Sequence, residues 1–413
     1  MGDGTADGTA RVGGSRTVVA RRRPPKKSLL VGALALLGVV LVASGTAVGG
    51  TVAEHVAAAE PTEVQVSPGD GITDVAPATP ASVEVEHGRI EAIELIGAEG
   101  HRVPGTLSAD ADTWRPDESL DFDTTYTWSG WAVGDDGERL PIAGSFATVK
   151  PRKLVKARLN VADGETYGVA MPIAVDFSAP VVGAEDKAAV EKQLSVHTSK
   201  PVEGSWAWLS DTSVHWRPKA YYPSNTEVTV SAPVYGLDLG DGTYGRNDVS
   251  STFTIGRQYI LRGDTREHKL HAFADGVQVA EWKASYGLDS DPRRVTHSGI
   301  HVAMTKHAKY LMNSETFDYT DFPVSWAVRI SNNGEFTHAA PWSAGAQGRR
   351  NVSHGCINLS MADAKAVYDA VITGDPVEVT GSSQQLGRQD GNYYDWTVPW
   401  DEWTAMSALS PSP

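Results

Sequence analysis

From Ser82 to about Gly256 the chain is written in short runs where apolar and polar residues alternate. VEVEHGRIEAIEL, TYTWSGWAV and GSFATV come first; MPIAVDFSAPV, SVHWRP, NTEVTVSAPVYG and SSTFTIG follow. Period-two alternation puts apolar side chains on one face of a strand and polar ones on the other. Turn residues separate the runs, as at Asp135-Asp136-Gly137. The pattern predicts two small β-sandwiches, over 81–150 and 151–256, with 51–80 as a linker and the start of the first.

The two units read as repeats. Trp114-Arg115-Pro116 recurs as Trp216-Arg217-Pro218, a shift of 102, and Phe146 recurs as Phe253, a shift of 107. A period near 100 residues suits an immunoglobulin-like sandwich. Neither unit holds clustered acids, histidines or a Gly-rich phosphate loop, so both are assigned to spacing and docking.

A third domain is expected over 257–381. QYILRG and HKLHAFADGVQVAEWKAS read as strands, and Asp275-Gly276 between two alternating runs signals a type I′ hairpin. WAVRIS and EFTHAA form a second hairpin turning at Asn333-Gly334, which puts Phe336 and His338 on one face. A Gly- and Ser-rich loop, PWSAGAQGRRNVSHGCIN, comes next. Ser360 with Asp363 three residues on then predicts a capped helix. Ala364, Val367, Tyr368 and Val371 form its apolar stripe, and Gly374 and Pro376 end it. PVEVTG returns as a strand. The tail, 382–413, carries Tyr393, Tyr394, Trp396, Trp400 and Trp403. So many aromatics are expected to pack on the third domain or on the sandwich before it.

The N-terminus breaks the pattern. Residues 1–27 hold seven basic and two acidic residues, so the remainder carries −20 of the chain's net −15. The segment 28–50 is apolar all round, and 29–48 matches the roughly 20 residues that span a bilayer. A basic flank before such a span predicts a cytoplasmic tail over 1–27 and the bulk outside the cell. The span reads as an uncleaved single-pass anchor; a cleaved signal is the alternative, with Ala57-Ala58-Ala59 as its small-residue site. The net negative charge argues against nucleic acid as a partner.

One cysteine in 413 residues excludes a disulfide framework and a multi-cysteine zinc site. That residue, Cys356, sits in Ser353-His354-Gly355-Cys356-Ile357-Asn358. A free thiol has a pKa of about 8.5, so a nucleophilic cysteine needs a base or a positive field. His354 is two residues away; His338 is 18 upstream, on the strand feeding the loop. A strand and its returning loop can bring His338 beside Cys356, whereas the turn pulls His354 aside, so His338 is the expected base. Gly355 allows a tight turn, the amides of Gly355 and Cys356 would hold an oxyanion, and Asn358 would contact substrate or brace the loop. A metal held by His338, His354 and Cys356 lacks a carboxylate or second cysteine at ligand spacing. His301 and His307 read as strand-face or surface residues.

HAAPW at 338–342 followed by SHGCINLS at 353–360 resembles the catalytic signature of the L,D-transpeptidases, the YkuD-domain enzymes of bacterial cell walls. The upstream units are similar to the tandem immunoglobulin-like domains of membrane-anchored actinobacterial members. The resemblance implies a mainly β chain: one transmembrane helix, two immunoglobulin-like sandwiches and a β-rich catalytic domain with a short helix. It implies that Cys356 attacks the third residue of a peptidoglycan tetrapeptide stem, releasing D-Ala and forming a thioester. An amine of a second stem would resolve it as a 3→3 cross-link. His338 would be the base, oriented by the Ala339 carbonyl, with His354 supporting the loop. Tyr319, Ala339, Trp342, Ser353 and Asn358 would form the substrate groove. No cofactor is implied, and carbapenems would acylate Cys356. A Thr-Pro-x-Gly turn of relatives stands here as Thr296-His297-Ser298-Gly299, which places His297 exposed near the groove. The alternatives are an L,D-carboxypeptidase or endopeptidase on the same site, and a non-catalytic wall-binding protein. A sortase-like order of Cys, His and Arg is absent.

Overall fold

The computed structural model describes residues 60–391 and 393–410. The expected basic tail and the apolar segment 28–50 lie outside them. Among the described residues no helix is long and apolar enough to cross a membrane. The architecture is mainly β.

The first sandwich begins before residue 81. Glu63–Ser67 joins a sheet with Ser82–Glu86, Thr113–Pro116 and Gly105–Leu107. Ile72–Val75 joins the facing sheet, beside Arg139–Thr148, Thr125–Gly134, Gly88–Ile96 and Arg102–Val103. The segment before residue 81 thus supplies one strand to each sheet. Trp114 meets Trp128 edge-on at 5.7 Å in the core, with Phe146 behind.

The second sandwich packs Ala157–Leu159, Ile173–Phe177, Ser213–Pro218 and Gly204–Ser210 against Thr166–Tyr167, Val249–Ile255, Thr226–Ala232 and Ser195–Thr198. The Trp-Arg-Pro repeat has a structural cause. In each unit a glycine pairs with the proline of the tripeptide, Gly105 with Pro116 and Gly204 with Pro218. A Cβ on either glycine would lie 2.0 Å from the Trp114 or Trp216 indole. Both sandwiches bury this tryptophan over a bare strand, and that demands glycine opposite.

The third domain holds two sheets. One orders Val277–Lys283, Lys269–Ala274, Tyr259–Asp264, Pro376–Thr380 and Gly299–Val302. Its Asp275-Gly276 turn has positive φ at both residues, 48° and 80°, as a type I′ turn requires. The other orders Lys306–Ser314, Tyr319–Arg329, Phe336–Ala339 and Ile357–Leu359. The helix Met361–Ala370 packs on this second sheet, with Ser360 Oγ accepting from the Asp363 N–H at 3.1 Å. Ala364 and Val367 are its buried positions. The Asn333-Gly334 hairpin is broader than the pattern suggests, because the strand stops at Arg329 and Ile330 N–H donates to Glu335 O. The long hairpin formed by 306–314 and 319–329 has no counterpart in the sequence reading.

The tail is a strap over both domains, seated chiefly on the second sandwich. Trp403 is fully buried with Ala207 and Leu209, and its Nε1 donates to Ser205 O. Trp396 Nε1 donates to Ala170 O. The Arg217 guanidinium lies 5.0, 5.2 and 4.7 Å from the Trp396, Trp400 and Trp403 rings. Burial lowers its pKa to about 10. On the third domain, Leu386 N–H donates to Ser298 O and Asn333 Nδ2 to Asp390 Oδ1. Backbone bonds also join the sandwich to the third domain directly, from Gly168 to Thr373 and from Ala170 to Gly374.

Candidate active site

Cys356 immediately precedes the strand Ile357–Leu359. That strand runs parallel to Phe336–Ala339, with Thr337 beside Ile357 and His338 beside Asn358. A parallel pair needs a crossover, and the loop of 340–356 provides it. Strand pairing therefore carries His338 back to the Cys356 end of the sheet. Both residues line a cleft of about 530 Å³ with Tyr319, Phe322, Trp342 and His354.

His338 is 4% exposed. Its Nδ1 lies 2.9 Å from Ala339 O. A carbonyl only accepts, so Nδ1 carries the proton and Nε2 keeps its lone pair. Burial lowers the imidazole pKa to about 4, opposed by the bond to Ala339 O, so the ring is neutral near pH 7. Trp342 stacks on it at 6.0 Å and 30°.

The Cys356 thiol is 9% exposed and faces Gly334 O at 3.8 Å, with no hydrogen bond to His338. Burial pushes its pKa up to about 12; a bond to the Phe336 backbone opposes this, and the Glu335 charge adds to it. Imidazole and thiol are thus both neutral in this conformation.

The loop before Cys356 is held by its own polar groups. Ser353 Oγ donates to Cys356 O at 2.6 Å and accepts from Gly355 N–H at 3.1 Å. Thr296 Oγ1 donates to Gly355 O at 2.7 Å. Gly355 has φ +118°, a conformation that L side chains rarely adopt. Asn358 Nδ2 donates to Ser343 Oγ at 3.2 Å, tying the strand to the start of the loop.

Three expected roles change on this geometry. The Gly355 N–H does not face the cleft as an oxyanion donor, because Ser353 Oγ takes it. Ala339 does not line the groove: its side chain is 1% exposed in the core, and its carbonyl orients His338. Ser353 lines the cleft, but its hydroxyl is spent on the loop. Tyr319, Trp342 and Asn358 do line the cleft. Trp342 is 55% exposed and meets Phe322 edge-on at 5.1 Å. His354 stands exposed at the mouth, 4.4 Å from the Phe317 ring, its pKa lowered by burial and by Arg294.

His297 is not at the groove either. Its ring Nδ1 lies 2.9 Å from Glu335 Oε1, and its side chain is 18% exposed. His301 is fully buried. Glu335 is the residue the sequence reading missed. The signal was there: a carboxylate heading an otherwise buried strand, EFTHAA.

Residues 258–379 match the L,D-transpeptidase catalytic domain, and 72–238 match a bacterial Ig domain. The chain is 47% identical over 348 residues to L,D-transpeptidase 5 of Mycobacterium tuberculosis (strain ATCC 25618 / H37Rv), covering 83% of this chain and 76% of that protein. It is 36% identical over 349 residues to L,D-transpeptidase 2 of Mycobacterium tuberculosis (strain CDC 1551 / Oshkosh), covering 82% and 83%. A solved L,D-transpeptidase in complex with imipenem is 32% identical and covers 56% of this chain and 100% of its own, with a TM-score of 0.47. The fold and the matches define an acyl-transferring enzyme with immunoglobulin-like domains ahead of its catalytic domain. The chain belongs to the L,D-transpeptidase family.

Proposed function

We propose that the enzyme forms 3→3 cross-links in peptidoglycan through a thioester on Cys356. The observation that carries this reading is a lone cysteine directly ahead of one strand and a neutral, oriented imidazole on the parallel strand beside it, both lining one cleft. The thiol first leaves Gly334 O and turns toward His338 Nε2. His338 takes the thiol proton as Sγ attacks the carbonyl of the third residue of a tetrapeptide stem. The C–N bond to D-Ala then breaks, and the proton passes from His338 to the departing amine. An amine of a second stem attacks the thioester, gives its proton to His338 and displaces the thiolate, which is reprotonated. Trp342 and Phe322 give the stem an apolar wall, and Tyr319 and Asn358 give it polar contacts. Carbapenems acylate the same sulfur by opening their lactam ring.

Localisation follows the N-terminal pattern: the apolar segment 28–50 anchors the chain, and the catalytic domain faces the wall outside the cell.

Intact-mass and product analysis of the full chain with a purified disaccharide-tetrapeptide tests this. The expected product is a dimer joined 3→3 with D-Ala released. Tripeptide without dimer would instead make the enzyme an L,D-carboxypeptidase.

A further inference from the structure

Glu335 is a buried carboxylate directly ahead of the strand Phe336–Ala339. It is 3% exposed. It follows Gly334, whose carbonyl faces the Cys356 thiol. Its Cγ also lies behind Gly355, 3.6 Å from where a Cβ would stand. Glu335 therefore backs the nucleophile's turn from two directions.

A buried carboxylate is costly unless it is paired and fully hydrogen-bonded. Oε1 accepts from the His297 backbone N–H at 2.8 Å and lies 2.9 Å from His297 Nδ1. Oε2 accepts from Ser331 Oγ at 2.9 Å and lies 3.5 Å from His301 Nδ1. His301 Nε2 bonds to His297 O at 2.8 Å, so that nitrogen carries a proton. His301 Nδ1 has no other partner and faces the carboxylate. At the outer end, His297 Nε2 is 3.7 Å from Asp390 Oδ1, and Asn333 Nδ2 donates to that same oxygen at 2.9 Å. Asp390 belongs to the C-terminal strap. The turn of residues 331–335 is gripped by two histidines inside and by the tail outside.

We propose that Glu335 is a positioning residue for Cys356: its carboxylate fixes the turn that carries Gly334 and sets a negative charge behind the thiol, with Asp390 of the tail holding the outer end. The proposal rests on Cys356 being the nucleophile. Other groups bear on the same sulfur. Arg329 opposes Glu335 from the neighbouring strand, and Tyr319 and His338 face the sulfur from the cleft. His297, His301 and Asp390 surround the carboxylate side.

The test is the pH profile of Cys356 alkylation by iodoacetamide, with carbapenem acylation followed by intact mass, on the full chain. Glu335→Gln keeps the shape and removes the charge. Its alkylation profile should move about one unit to lower pH, roughly tenfold in thiolate fraction at a fixed pH. A merely structural role would leave that profile in place. If Glu335→Gln does not fold, Asn333→Ala decides, because Asn333 is exposed on the turn. It should acylate several-fold more slowly at an unchanged melting temperature. A Glu335→Gln profile that superimposes on the parent's overturns the proposal, as does Asn333→Ala acylating at the parent rate. Cys356→Ala is the separate control: a carbapenem adduct that persists in it sinks the nucleophile assignment rather than the role of Glu335.

Discussion

Two histidines in this chain invite the same functional reading and do different things. His215 lies between a serine and an aspartate: its Nε2 is 3.1 Å from Ser213 Oγ and its Nδ1 is 2.7 Å from Asp395 Oδ1. By residue type that is a hydrolase triad. Yet Ser213, His215 and Asp395 are 3%, 1% and 0% exposed, and the Ser213 hydroxyl donates to Asp176. No substrate can reach the trio, and both ring nitrogens are committed. His338 holds only a backbone carbonyl, and it lines an open cleft beside a thiol. What separates the two histidines is a ring nitrogen left uncommitted and a path for substrate. The His215–Asp395 pair instead fastens the tail to the second sandwich.

That contrast can be broken experimentally. The largest effect is expected at the cleft: His338→Ala should slow carbapenem acylation by about 10²–10⁴-fold, the range for losing a general base. The measurement is the mass-shift rate, and near-parent rates would remove His338 from the mechanism. At the buried pair the effect should fall on stability. Asp395→Ala leaves His215 Nδ1 without its partner and should cost about 3–5 kcal/mol in denaturant unfolding. Acylation per folded molecule should stay unchanged, and a matching loss of activity would show that the pair reaches the cleft.

A smaller, graded effect comes from pH. Because burial lowers the His338 pKa to about 4, the base stays unprotonated well below neutrality. Acylation should hold from pH 7 to about 5 and fall roughly tenfold per unit once pH drops below that pKa. An acid limb near the ordinary histidine value of about 6.5 would mean that the reacting imidazole is solvated. The smallest change is expected at the rim. Trp342 is more than half exposed, so Trp342→Ala should weaken stem binding a few-fold and leave the folding midpoint in place.

Much of the site was legible in the residues themselves. The His338 and Cys356 pairing follows from a strand, a glycine-rich loop and a returning strand, all local patterns. The Ser360 cap, the Asp275-Gly276 turn and the Trp-Arg-Pro repeat are local as well, and each stands in the structure. Other positions depended on contacts between distant segments. The Gly355 amide looked free from its motif, but the Ser353 side chain turns back to take it. His297 looked exposed for want of a proline, but Glu335 lies 38 residues away in sequence and beside it in space. Phe322 reaches the cleft on a long hairpin that no short pattern marks.

The sequence by itself determined which chemistry the chain carries: one thiol, a histidine at a strand's end, and a glycine where only glycine fits. Local backbone rules and side-chain types are enough for that. The tertiary structure decided the rest. It set which ring nitrogen stays free, which amide is already spent, where the buried carboxylate finds its partners, and which domain the aromatic tail covers. Those outcomes depend on burial and on hydrogen-bond partners far apart along the chain, and a carboxylate or an imidazole takes its role from the groups packed around it.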